Sequence, residues 1–113
     1  MMTGYIVEGK SDCEKVMNVV PDAHFVILNG VSFKQKERRA IEEAISICHE
    51  VFILTDPDEA GDMIAKKIMD TYPGIQRIKI DPSRAKNSRE SRCRYGVEYC
   101  SDQYLRETLP GAN

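Results

Sequence analysis

"VFILTDPDEAGDMIAKKI", residues 51–68, runs four apolar residues into a threonine, sets two aspartates around a proline, and passes through a glycine into a helical pattern. Val51–Leu54 read as a buried strand, while Ile64, Ala65, Ile68, Met69 and Tyr72 recur at the spacing of one helix face over 59–71. The same unit repeats along the chain. "YIV" (5–7) is a strand, followed by a helix over 11–20 with Ser11 as N-cap, Glu14 as its capping-box partner and Cys13, Val16, Met17 and Val20 inward. "HFVIL" (24–28), the turn "NGVSF" and a helix over 34–49 with Ala40, Ile41, Ala44, Ile45 and Cys48 on one side form the next. "IQRIKI" (75–80) alternates apolar and polar residues, as a strand with one solvated face does, and so belongs at an edge. Strands alternating with helices of this length predict an α/β fold: a doubly wound, parallel four-stranded sheet with helices on both faces.

Residues 81–96 carry no apolar period and read as an irregular functional or mobile loop, before a short helix over 101–109 capped by Ser101. At 113 residues, 42% hydrophobic and 30% charged, the composition suits a single domain over 1–113. A net charge of -2 excludes a chain that holds polyanions by bulk charge, so a nucleic-acid partner needs a local patch or bound cations. No apolar run is long enough to span a bilayer, and "MMTGYIVEGK" lacks the pattern of a secretory signal, which points to the cytoplasm and away from membranes. Cys13, Cys48, Cys93 and Cys100 include no C-x-x-C pair, so zinc is not expected; Cys13 and Cys48 fall on helix core faces as reduced thiols.

In a parallel sheet the strands' C-terminal ends share one rim, and ligands bind there. Strand one delivers Glu8, Gly9 and Lys10 to that rim, strand two Asn29 and Gly30, and strand three Asp56 and Asp58. Glu8 must approach both aspartates, which makes strands one and three neighbours and gives the order 2-1-3-4. Three carboxylates close together repel unless a cation neutralises them. An all-oxygen donor set selects a hard ion, and Mg²⁺, with Mn²⁺ as a substitute, fits a shallow rim site. Pro57 fixes the bend so that both aspartates can turn toward one ion. Gly9 and Gly30 leave room for a substrate, and Lys10 is placed to pair with a phosphate. Plainer readings stand beside these: Asp58 as the N-cap of helix three, Asn29-Gly30 as a common turn pair, and Lys10 as a solvated charge.

With these segments in place, the chain resembles the toprim domain family, the catalytic module of bacterial primases, type IA and type II topoisomerases, OLD-family nucleases and certain ribonucleases. "YIVEGKSD" resembles the family's first strand with its glutamate, and "ILTDPDEAGDMIAKKI" its Asp-x-Asp strand and following helix. "EGKSD", "LNG", "TDPDEAG" and "GVEYC" (96–100) are most similar to segments of the ribonuclease that matures bacterial 5S ribosomal RNA. The resemblance implies that Glu8 is a general acid/base or metal ligand and that Asp56 and Asp58 hold Mg²⁺. It leaves Asp62 as a surface charge on helix three, and Glu98 as either a metal or substrate contact or a structural turn residue. The chain reads as a small stand-alone toprim protein without the RNA-grasping region of that ribonuclease, which leaves RNA recognition to a protein partner.

The expected activity is Mg²⁺-dependent hydrolysis of phosphodiester bonds in nucleic acid, with structured RNA favoured over DNA. In residues 81–96, Arg84, Lys86, Arg89, Arg92 and Arg94 against Asp81 and Glu90 give a local balance of +3, and Arg89, Arg92 and Arg94 are the expected phosphate contacts. Tyr95 is placed to stack on a base. A strand-passage enzyme would need a nucleophilic tyrosine, and none of the five tyrosines has a context that marks it. From a different class, a non-catalytic module could keep the acidic cluster for Mg²⁺ and dock on a larger DNA or RNA processing complex. A receiver domain fits poorly, because its acidic pair belongs on strand one and its lysine on a fifth strand.

Overall fold

Four short segments, Thr3–Val7 (β1), His24–Ile27 (β2), Glu50–Leu54 (β3) and Gln76–Arg77 (β4), pair in parallel in the order β2-β1-β3-β4. The computed structural model that establishes this describes residues 2–30, 32–87 and 94–112. The order is the one required to bring Glu8 beside Asp56 and Asp58. β1 is central, fully paired on both sides, and its Tyr5, Ile6 and Val7 are wholly buried.

Successive strand residues point to opposite faces, so each inner strand feeds two cores. Tyr5, Val7, Phe52 and Leu54 face Cys13 and Val16 of the helix Lys10–Met17 (α1) and Leu105 of the helix Asp102–Thr108 (α4). Ile6, Val51 and Ile53 face Ile41 and Ala44 of Gln35–Ile47 (α2) and Ile64, Ala65 and Ile68 of Glu59–Thr71 (α3). Helices therefore cover both faces. Tyr5 reaches through the first layer to donate its hydroxyl hydrogen to the Pro110 carbonyl, which ties the C-terminal segment to the central strand.

Several boundaries differ from the sequence reading. α1 begins at Lys10 with Gly9 as N-cap, not Ser11, because Asp12 turns back to accept the Gly9 amide at 3.2 Å. The shift leaves Met17 45% exposed, not in the core, while Val20 is buried beyond the helix end. Ile45 is likewise 41% exposed, whereas Cys48, half-buried at the C-cap of α2, packs against the core as expected. Only Gln76 and Arg77 of the run pair with β3, and the Ile78 amide adds one further bond to the Ile53 carbonyl; Ile75 and Ile80 are buried in opposite cores, which the expected single solvated face does not account for. The stretch 81–96 is not wholly irregular: Lys86–Asn87 (β5) and Arg94–Tyr95 (β6) form a two-residue antiparallel ladder. Ser101 caps α4 as expected, its hydroxyl accepting from the Tyr104 amide.

Candidate active site

The parallel register pairs Val7 with Leu54, so the chain leaves both inner strands at the same level of the rim. One residue beyond β1, Glu8 turns across to β3, and its Oε2 accepts the Asp56 amide at 2.6 Å. Thr55, wholly buried, donates its hydroxyl hydrogen to the Gly61 carbonyl at 2.9 Å and so fixes the strand end against the first turn of α3. Gly61 is required there by space: a Cβ at that position would lie 2.0 Å from the Asp56 carbonyl oxygen. The turn between them is closed by Asp58, whose amide bonds the Asp56 carbonyl and whose Oδ1 accepts the Gly61 amide at 2.7 Å. The plainer reading of Asp58 as N-cap is therefore correct, and the cap engages only one of its two oxygens.

The C-terminal part of the chain supplies the other wall. Asp56 Oδ1 accepts the Val97 amide at 2.9 Å, and Asp12 Oδ1 accepts the Glu98 amide at 3.1 Å. Gly96, just before them, lies beside the acid: a Cβ there would meet Asp56 Oδ1 at 3.6 Å, an ordinary contact. "GVEYC" thus contributes backbone donors to two acids, while the Glu98 side chain is exposed.

These carboxyl groups lie in a half-buried, acidic setting that opposes ionisation. Burial pushes Glu8 up to about 7; the Asp56 amide hydrogen bond works against this, and the charges of Asp56 and Asp58 add to it. The closeness of the Glu8 and Asp56 carboxyls makes ionising both unfavourable. Asp56 is raised by burial as well, with the Val97 amide opposing. Asp12 is raised to about 6 by burial and by the charge of Asp56, against its hydrogen bonds from Glu98 and Gly9.

A cation would relieve the repulsion that raises these carboxyls. Among the described residues, no three Asp, Glu, His or Cys side chains are arranged to close on one ion. The donor set instead suits a hard cation that keeps most of its waters and takes one or two carboxylates, which is the habit of Mg²⁺. The Glu8–Asp56 pair and the open oxygen of Asp58 fit that requirement.

Of the other residues expected at the site, Lys10 is exposed at the first position of α1. Gly9 has extended backbone, and a Cβ there would meet only Asp12 Oδ2 at 3.8 Å, so nothing in its surroundings demands glycine. Asn29 and Gly30 do need their conformation, with φ of 57° and 113°, and the Gly30 amide bonds the Glu8 carbonyl at 2.9 Å, which holds this turn against the rim. Arg94 lies exposed on β6, and Arg89 and Arg92 lie outside the described residues.

Two residues escaped the sequence reading. Asp12 is 7% exposed and belongs to the acidic group; its signal was the acid four positions after Glu8, at the third helical position once Gly9 is the cap. Arg77 of β4 reaches under the rim, donating to the Asp56 carbonyl at 3.1 Å and to Asp62 at 2.5 Å. Asp62 is thereby the outer partner of a structural arginine.

Comparison with known proteins agrees with this fold. The Toprim domain model matches residues 3–85. Ribonuclease M5 of Staphylococcus aureus (strain NCTC 8325 / PS 47) is 31% identical over 104 residues, which is 92% of this chain and 56% of that protein. Ribonuclease M5 of Bacillus anthracis is 30% identical over 104 residues, 92% of this chain and 54% of that protein. The chain thus spans about half the length of the curated relatives it matches. A solved structure described as a small TOPRIM domain protein from Bacillus stearothermophilus superposes with a TM-score of 0.72 at 23% identity, covering 94% of this chain and 83% of that one, a likeness of fold. Strand order, the acidic rim and a family match over most of its length place this chain in the Toprim domain family.

Proposed function

We propose that this chain hydrolyses phosphodiester bonds in structured RNA with the help of Mg²⁺ or Mn²⁺. The observation that carries the reading is the Glu8–Asp56 pair, a carboxyl held near pKa 7 by burial and its acidic neighbours at the open rim of the sheet. A group with that affinity for protons can accept or return one at physiological pH. Bound at this rim, Mg²⁺ would polarise a phosphoryl oxygen and orient a water.

Within this proposal Asp56 and Asp58 hold the cation, and the Val97 and Gly61 amides keep their carboxylates aimed by engaging one oxygen of each. Glu8 moves a proton to or from the attacking or leaving oxygen, or shares in holding the ion. Lys10 and the Asn29-Gly30 turn, on the same rim, take substrate phosphates, and Arg89, Arg92 and Arg94 extend the contact. RNA is favoured over DNA by the likeness to proteins named Ribonuclease M5. Among the described residues no helix is long and apolar enough to cross a membrane, which suits a nucleic-acid substrate and a cytoplasmic setting.

The second reading is a module that binds Mg²⁺ and nucleic acid without cleaving it, docked on a larger processing complex or a protein partner that recognises RNA. It is favoured by the described residues, among which no three Asp, Glu, His or Cys side chains are arranged to close on one ion. Labelled RNAs and DNAs of defined shape, incubated with the purified protein with and without Mg²⁺ or Mn²⁺, separate the two. Metal-dependent cleavage that Glu8→Gln abolishes supports the nuclease. Binding without cleavage in either metal overturns it in favour of the module.

A further inference from the structure

Away from the acidic rim, "FKQKERR" (33–39) opens α2 and faces the later turns of α3 across a shallow groove. Lys34 and Arg38 line one side and Lys67, Asp70 and Thr71 the other, with Arg39 in the adjoining depression. Nearby acids are already engaged. Asp70 pairs with Lys66 at 2.8 Å, Glu42 accepts the Tyr72 hydroxyl at 2.6 Å, and Glu37 accepts from the Lys34 amide at 2.9 Å and from Ser32 at 2.8 Å. Among the described residues Lys34, Arg38, Arg39 and Lys67 form no ion pair, so on a protein of net charge -2 they make a concentrated cationic surface.

The aromatic residues of the groove are used to build it. Phe33 lies with its face 4.8 Å from the Arg38 guanidinium carbon and its edge against Tyr72, ring centres 6.4 Å apart at 83°. The Tyr72 hydroxyl is held by Glu42. Proteins that hold single strands offer aromatic faces on which bases stack. Here the Phe33 face is covered by the exposed Arg38 and the Tyr72 ring packs against Phe33, so what remains for a ligand is a row of cations. That chemistry suits the phosphate backbone of a double helix, whose bases are already stacked.

The groove lies within reach of the rim. The Gly30 amide is bonded to the Glu8 carbonyl, and four residues further on, a reach of at most about 14 Å, the chain is at Lys34. At 3.4 Å of axis per base pair this is about four base pairs.

We propose that the groove between α2 and α3, lined by Lys34, Arg38 and Lys67, seats the phosphate backbone of a nucleic-acid duplex whose scissile bond lies at the acidic rim. The proposal rests on the nucleic-acid substrate inferred above, and its test is kept separate from catalysis. Binding of a labelled RNA duplex, a DNA duplex of the same sequence and the corresponding single strands is measured without divalent cation, across a salt series, for the wild type, Lys34→Gln, Lys67→Gln and the double variant. Both lysines are exposed, so the fold should be unaffected, as a melting curve verifies. Arg106→Gln, on the opposite face in α4, changes the net charge without touching the groove.

The double variant should weaken duplex binding by about tenfold or more and lower the slope of log K against log salt by roughly two units, about one per lost phosphate contact. Single-strand binding and Arg106→Gln should change little. Equal loss on RNA and DNA duplexes indicates phosphate contact alone, and loss confined to RNA indicates the 2′-hydroxyl as well; both support the groove. An unchanged duplex slope in the double variant, an equal loss from Arg106→Gln, no duplex binding by the wild type, or preference for single strands overturns it. If the duplex result holds and no cleavage is seen with Mg²⁺ or Mn²⁺, the catalytic reading fails and the groove stands.

Discussion

The Glu8 carboxylate accepts the backbone amide of Asp56 at 2.6 Å, across a sequence separation of 48 residues. The bond makes Glu8 both a chemical group and a clasp between the two inner strands. Glutamine keeps an oxygen able to take that amide but cannot exchange a proton. Glu8→Gln should therefore preserve the fold and nucleic-acid binding while lowering turnover by roughly two to four orders of magnitude. A variant that cleaves within a few-fold of wild type would remove Glu8 from the chemistry.

The raised carboxyls set a pH dependence whose sign is fixed. Glu8 rises from an ordinary 4.5 to about 7 and Asp12 from 3.8 to about 6, so between each pair of values the folded state holds more protons than the unfolded. Stability from this source is complete below the unfolded values and is lost as pH rises toward about 7. In chelator, thermal melting should fall from pH 5 to pH 8 by more than in a Glu8→Gln, Asp12→Asn variant. Mg²⁺ displaces those protons, so its stabilising increment should grow over the same range. A metal increment independent of pH would separate the ion from these acids.

Asp58 has two roles that substitution can divide. Asn caps a helix about as well as Asp, whereas Ala loses about 1 kcal/mol of cap. Asp58→Asn should leave the metal-free melting temperature unchanged or higher, Asp58→Ala should lower it, and both should diminish the Mg²⁺-dependent increment. A full increment in Asp58→Asn places the ion away from this residue.

The Gly61 contact predicts the most severe small substitution. A methyl 2.0 Å from the Asp56 carbonyl must displace backbone on one side or the other. Gly61→Ala should cost about 1–3 kcal/mol in denaturant unfolding and impair Mg²⁺ binding through the displaced Asp56, despite the higher helix propensity of alanine. Unfolding at wild-type denaturant concentrations would show that the turn yields freely.

Much of this was readable from residue order because the strongest signals were physical necessities. Glu8 and Asp56 could meet only if β1 and β3 were neighbours, and α3, with an aspartate cap and an unbroken apolar stripe, spans Glu59–Thr71 as read. What was missed depended on contacts that no periodicity encodes. Ser11 has the chemistry of a cap, but the side chain of Asp12 settles the start two residues earlier by taking the Gly9 amide. The pattern in 75–80 neither told how many residues pair nor that Ile75 and Ile80 enter opposite cores, and a two-residue ladder such as β5–β6 is too short to carry a period. The basic start of α2 was legible as charge, yet its relation to Lys67 exists only after the helices pack.

The hydrogen bond from the Glu98 amide to Asp12 spans 86 positions of the chain. During synthesis from the amino terminus, Glu8, Asp12, Asp56 and Asp58 all emerge before the segment that supplies the Val97 and Glu98 amides. Until that segment leaves the ribosome, Asp12 and Asp56 each lack a donor that the finished fold provides, and the like charges have less to hold them together. A nascent chain therefore carries the four acids without their amide donors, and the arrangement is completed only once residues 97 and 98 have emerged.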